Sequence, residues 1–210
     1  DAPHIILLPE VIFNQQKFLS KVKDVVKQKG YCVIVTSEGV KSAKGKFLAE
    51  SNTKDAFGHT QLGGVAPYLA SLITKKLKLK NHWAVSDYLQ RSARHIASKT
   101  DLLHAEAVGV HAIKYAIQGM NGVMPVIVRG KSTKYTWKIE PSPLSKIANV
   151  EKKLPKSYIS MDGFNVNSKA IAYLRPLIIG EAFPEFKNGI PKISNLKLLL
   201  APKKLKKWVP

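Results

Sequence analysis

The chain is short of cysteine, of acid and of long apolar runs. Cys32 is the one cysteine in 210 residues. That excludes an internal disulfide framework and suits a reduced, cytoplasmic setting. No apolar stretch is long enough to span a bilayer, so no membrane partner is expected. Asp and Glu number 14 against 34 Lys and Arg. No two acids have the Asp-x-Asp spacing that could hold Mg²⁺ against a phosphoryl group. There is no Gly-x-Ser-x-Gly, and Gly58-x-x-x-x-Gly63-Gly64 lacks the Lys-Ser/Thr ending of a P-loop. The six histidines have no metal-ligand spacing. His59 reads as a loop residue that hydrogen-bonds its own turn. The start, Asp1-Ala2-Pro3, is neither an initiator Met nor a signal peptide, and the chain is expected to be processed or cut from something longer.

What is abundant is lysine. The formal charge is +20, but the excess is scattered along the chain and reads as compositional, so nucleic acid is not expected as a partner. The Lys-rich end, Pro202-Lys203-Lys204-Leu205-Lys206-Lys207-Trp208, is the best place for non-specific anion binding.

The first half patterns as an α/β protein. His4 to Leu8 is a short apolar run ended by Pro9 and predicts a buried strand. Asn14 is placed to cap a helix carrying Phe18, Leu19, Val22, Val25 and Val26 at helical spacing, with Gly30 as its stop. Tyr31 to Thr36 predicts a second strand, parallel to the first by a right-handed crossover. Lys41 to Lys54 reads as a loop. A helix is expected from near Pro67, striped by Tyr68, Leu69, Leu72, Ile73 and Leu77, followed by a strand at His82-Trp83-Ala84-Val85. Ser98-Lys99-Thr100-Asp101 predicts the cap of the longest helix. That helix should be buried on most sides, with one wet stripe of His104, His111, Lys114 and Gln118. Val123 to Val128 predicts a strand that Pro125 confines to an edge or a bonding gap. Beyond Arg129 prolines punctuate the pattern. Ser168 to Leu177 could form a helix, and 181 to 210 look irregular.

The run Asp87-Tyr88-Leu89-Gln90-Arg91-Ser92-Ala93-Arg94-His95-Ile96-Ala97-Ser98 is the segment best suited to bind a ligand, with Arg94 and His95 as supporting residues. It brings a phenol, an amide and two guanidinium groups to one strand-to-helix turn. Arg91 offers a fork of donors to phosphate oxygens, while Tyr88 and Gln90 can orient hydroxyls. The following helix is expected to add free backbone N–H groups and a positive dipole end. Glu38, just past the carboxyl end of the second strand, lies where open α/β sheets bind ligands. It reads either as an acceptor for substrate hydroxyls or as a solvated loop acid. Arg94 and Lys99 read as a solvated face or a salt bridge.

Several blocks together closely resemble the C-terminal half of a phosphofructokinase of the pyrophosphate-dependent type. They are Leu8-Pro9-Glu10, Val35-Thr36-Ser37-Glu38-Gly39, the insert from Asp55 to Val65, Tyr88 to Asp101, Asn121 to Arg129, and Gly180-Glu181-Ala182-Phe183-Pro184. The resemblance spans essentially the whole chain. It implies a Rossmann-like three-layer α/β fold, mostly the substrate-binding domain. Residues 1–130 would be the sugar-phosphate-binding domain, and 131–210 a segment packing back on it with a basic tail. It implies phosphoryl transfer from pyrophosphate, or from ATP, to the 1-hydroxyl of fructose 6-phosphate, with Mg²⁺ as cofactor, in a homo-oligomeric glycolytic enzyme. By position, Glu38 matches the acid that contacts the sugar, and Tyr88 and Arg91 match the pair that holds the sugar and its 6-phosphate. The ATP-using branch commonly has His where Tyr88 stands. His82 falls where many members have an Arg that reaches the neighbouring subunit's sugar phosphate. The family's Gly-Gly-Asp, Thr-x-Asp-x-Asp and Met-Gly-Arg motifs are missing, so no catalytic residue or metal ligand is expected in this chain. The alternative is a non-catalytic domain that binds sugar phosphate or nucleic acid.

Overall fold

The computed structural model describes residues 2–48, 50–54, 60–62, 64–192 and 197–200, with 202, 204 and 205. The strand–helix–strand opening is present. Strand β1 (Ile5–Leu7) pairs in parallel with β2 (Ile34–Thr36), and α1 (Gln15–Lys29) crosses between them. The ends of α1 follow from single residues. The Asn14 side chain accepts from the Lys17 amide at 3.0 Å. Gly30 closes the helix at φ 82°, a left-handed value that L side chains rarely adopt. Helix α2 (Val65–Leu77) packs on the same side of the core, where Ile5, Leu7, Phe18, Val22, Val40, Val65, Leu69 and Ile73 form one buried cluster. Removing that much apolar surface from water is the main force holding β1, α1 and α2 together.

The polar stretch ending at Lys54 is not all loop. Strand β3 (Glu50–Lys54) forms an antiparallel pair with β4 (Thr60–Leu62). Polar hairpin strands carry little alternation of hydrophobicity, so pattern alone reads them as coil. The insert between them, with His59 and Gly58, lies outside the described residues, as does most of the basic end around Lys203.

After α2 come α3 (Leu89–Ser92), α4 (Lys99–Ile117), β5 (Val123–Arg129), β6 (Trp137–Pro143) and α5 (Ser168–Leu174). The last two strands among the described residues, β7 (Phe186–Lys187) and β8 (Ile190–Pro191), form a short antiparallel hairpin. Strand β5 pairs only with β6 among the described residues, so Pro125 does sit on a sheet edge, opposite Pro141. Arg129 ties this hairpin to α5. Its guanidinium lies 4.8 Å from the Tyr135 ring centroid and 4.5 Å from that of Tyr173, and donates to the Tyr173 carbonyl at 2.6 Å.

Two expectations are corrected. The segment His82-Trp83-Ala84-Val85 is not a strand. Clefts of about 560 and about 460 Å³ separate it from β2, which leaves it no ladder to join. The wet stripe of α4 holds at Lys114 and Gln118, which are exposed, and fails at the histidines: His104 is buried and His111 half-buried, whereas Leu103, Val110, Ile113 and Ile117 are exposed. The reason is the aromatic surface of β6 and the loop before it. His104 meets the Trp137 ring edge-on at 4.5 Å, and its Nε2 is 3.1 Å from the Tyr135 hydroxyl. An imidazole suits that half-polar nest better than leucine does. Among the described residues no helix is long and apolar enough to cross a membrane.

Candidate functional site

The turn singled out by sequence projects from the surface. Asp87 has a left-handed backbone at φ 45°, a conformation Asp tolerates better than most residues. This bend delivers Tyr88 into solvent, where its side chain is 71% exposed. The Leu89 amide then donates to the Ser86 carbonyl, and the Arg91 amide to the Tyr88 carbonyl, each at 2.9 Å. The Ser92 hydroxyl donates to the same Tyr88 carbonyl at 3.2 Å. A single turn of helix, α3, results. It carries Arg91 back over Tyr88, with the guanidinium carbon 5.6 Å from the ring centroid. Tyr88 and Arg91 therefore form one unit. The side chain of Gln90 lies outside the described residues.

Glu38 reaches the same region from β2. The Ser37 amide donates to the Leu7 carbonyl at 3.1 Å, and the Ser37 hydroxyl accepts from the Gly39 amide at 3.2 Å. This fixes the turn and leaves Glu38 exposed at its tip. Glu38 lines the cleft of about 460 Å³ together with Ser86 and Asp87, the residues that introduce Tyr88. Arg91 lines a separate cleft of about 750 Å³ with Arg94, Ser98 and Glu181. The predicted residues thus share one edge of the molecule but not one cavity.

The helix N-terminus is not free for a ligand, contrary to the sequence reading. Ser98 caps α4 as predicted, its hydroxyl accepting from the Asp101 amide at 3.1 Å. The first amides have partners too. Lys99 donates to the Gly180 carbonyl at 2.8 Å and Thr100 to the Ile179 carbonyl at 3.2 Å. The Leu102 amide closes on the Ser98 carbonyl at 3.0 Å. The amides that attract phosphate at other helix ends are consumed here by the segment 177–182. Arg94, read as solvated or ion-paired, donates instead to the Ala182 carbonyl. No sequence pattern marks such a contact, because its acceptor is a backbone atom 88 residues away. Burial pushes the Cys32 thiol above its usual pKa, which disfavours its thiolate as a nucleophile near neutral pH.

No protein-family model matches the chain. Individual proteins do. The chain is 51% identical over 210 residues to a Xanthomonas campestris protein named pyrophosphate–fructose 6-phosphate 1-phosphotransferase, covering 99% of the chain and 50% of that protein. A Halomonas elongata protein of the same name is 50% identical, covering 93% of the chain and 47% of the relative. The crystal structure of a pyrophosphate-dependent phosphofructokinase from Nitrosospira multiformis superposes with a TM-score of 0.81 at 48% identity, covering 99% of the chain and 48% of that structure. The chain belongs to the pyrophosphate-dependent phosphofructokinase family. It spans about half the length of the curated relatives it matches. The α/β fold expected from the sequence is the one observed.

Proposed function

We propose that this chain forms the sugar-phosphate side of an enzyme that transfers a phosphoryl group from pyrophosphate to the 1-hydroxyl of fructose 6-phosphate. The observation that carries the reading is the stacked Tyr88–Arg91 pair on a projecting turn, in a chain about half identical to proteins named for that reaction. Arg91 supplies a planar fork of donors for the 6-phosphate. The Tyr88 hydroxyl can donate to or accept from a sugar hydroxyl, and its ring holds the guanidinium in place. The Glu38 carboxylate, across the cleft from Ser86 and Asp87, accepts from sugar hydroxyls. Gln90 is the fourth residue assigned to the sugar.

These groups bind and orient. In-line phosphoryl transfer depends chiefly on positioning and on neutralising charge, so a rigidly held acceptor hydroxyl lowers the barrier. The resemblance implies Mg²⁺. Among the described residues no three His, Cys, Asp or Glu side chains converge. Mg²⁺ is commonly held by one or two carboxylates together with the phosphates it serves, and the resemblance puts its protein ligands outside this chain. The reading carries with it a cytoplasmic, homo-oligomeric enzyme.

The test is phosphoryl transfer by the full-length protein carrying this chain, with pyrophosphate and ATP offered separately to fructose 6-phosphate. Fructose 1,6-bisphosphate should form with pyrophosphate. Turnover with ATP alone would reassign the donor, and no turnover with either would reject the function.

A further inference from the structure

Among the described residues, the hydrogen bonds of the turn that presents Tyr88 and Arg91 are local with one exception. Within residues 82–97 they run from Leu89 to Ser86, Arg91 to Tyr88, Ser92 to Tyr88, Ile96 to Ala93 and Ala97 to Arg94. Among the described residues, their one long-range hydrogen bond runs from the Arg94 guanidinium to the Ala182 carbonyl. That acceptor is itself fixed. The segment 177–182 lies along the start of α4 and is bound there by the Lys99 and Thr100 amides. The Ser98 hydroxyl donates to the Leu177 carbonyl at 2.6 Å, and the Thr100 hydroxyl to the Ile179 carbonyl at 3.1 Å. Gly180 allows this close approach. Its φ is +84°, and a Cβ placed there would meet the Lys99 Cβ at 2.7 Å.

The geometry points to Arg94 as the positioning residue of the sugar-phosphate site, acting through the Ala182 carbonyl. This rests on the reading of Tyr88 and Arg91 given above. The acceptor is neutral, and Arg94 makes no ion pair among the described residues. Arg94 and Arg91 line one cleft with Asp101 and Glu181, so the role assigned to Arg94 is the tether rather than its charge. An exposed turn without this anchor would sample many orientations, and each ligand would have to order it on binding.

The test is steady-state kinetics on the full-length protein, with fructose 6-phosphate and pyrophosphate varied independently. Arg94→Ala should raise the KM for fructose 6-phosphate by about tenfold, the scale for losing one charge-assisted contact. The KM for pyrophosphate should stay within about twofold, since the resemblance puts the donor site outside this chain. Arg94→Lys should recover most of the loss, because an ammonium can still donate to a carbonyl. An unchanged KM for fructose 6-phosphate, or an equal rise in both KM values, overturns the inference. If Arg94→Ala does not fold, Gly180→Ala tests the same device with Arg94 intact, by forcing the strap off Lys99. It should give the same selective rise, and an unaltered KM for fructose 6-phosphate rejects the tether. Arg91→Ala separates the two claims. If it leaves that KM unchanged, the site reading fails. If it raises it while Arg94→Ala does not, only the positioning role fails.

Discussion

The Arg91 guanidinium carbon lies 5.6 Å from the centre of the Tyr88 ring, and both side chains are exposed. A cation held over a ring in solvent gains only modest energy from the contact. Its importance is directional: the ring limits the rotamers of a long side chain before any ligand arrives. Tyr88→Phe keeps the ring and removes the hydroxyl, so it should weaken fructose 6-phosphate binding by about 1 kcal/mol, one neutral hydrogen bond. Tyr88→Ala should cost more than Tyr88→Phe. Equal losses, measured by titration calorimetry, would reduce the ring to a bystander.

Ser98 serves two partners at once. Its hydroxyl accepts from the Asp101 amide and donates to the Leu177 carbonyl. Ser98→Ala should therefore cost about 1–2 kcal/mol of stability, near the upper end for a helix cap. Ser98→Asp keeps the acceptor and loses the donor, and should recover only part of the loss. Urea denaturation of the three proteins reads the difference.

His104 and Tyr135 hold the β5–β6 hairpin against α4. Tyr135→Phe leaves the ring packing intact and removes the partner of the buried imidazole. It should destabilise by about 1 kcal/mol, and His104→Ala by about 2–3 kcal/mol, since the latter also opens a cavity beside Trp137. A double mutant no worse than His104→Ala alone would show that the two residues act as a pair.

Asp162 links stability to pH. The Ser160 hydroxyl donates to it at 2.6 Å, the Phe164 amide at 3.1 Å, and Lys21 pairs with it at 2.9 Å. These contacts hold its carboxyl at about 2, below the ordinary 3.8, with the Ser160 bond the largest cause. A lowered folded-state pKa means the ionised form stabilises the fold. That stabilisation is full above pH 3.8 and is lost as the pH falls toward 2. Half-exposure of the side chain keeps the effect small. Asp162→Asn should narrow the stability difference between pH 5 and pH 2.5, and an unaltered difference in thermal melts would contradict this.

Some of this molecule was legible from residue order. Asn14, Gly30 and Ser98 mark helix ends through local chemistry, and local chemistry is what a linear pattern records. Strand β6 was not, because Pro141 and Pro143 argue against a strand unless its partner is known to be an edge with Pro125 opposite. Only the Lys114 and Gln118 end of the α4 stripe was legible, for a related reason. Periodicity identifies an apolar stripe, but here the neighbour that α4 meets is the His104-binding surface of Tyr135 and Trp137. Tyr88 and Arg91 are proposed from residue type and resemblance. The role of Arg94 could not be, since a carbonyl acceptor at Ala182 has no signature of its own.

The most direct test of the sugar-phosphate assignment is calorimetric titration of fructose 6-phosphate into the full-length protein and its Arg91→Ala variant. The account predicts saturable binding to the parent and a loss of about 2 kcal/mol or more in the variant, the scale of a charge-assisted phosphate contact. Equal affinity in the two proteins would contradict it.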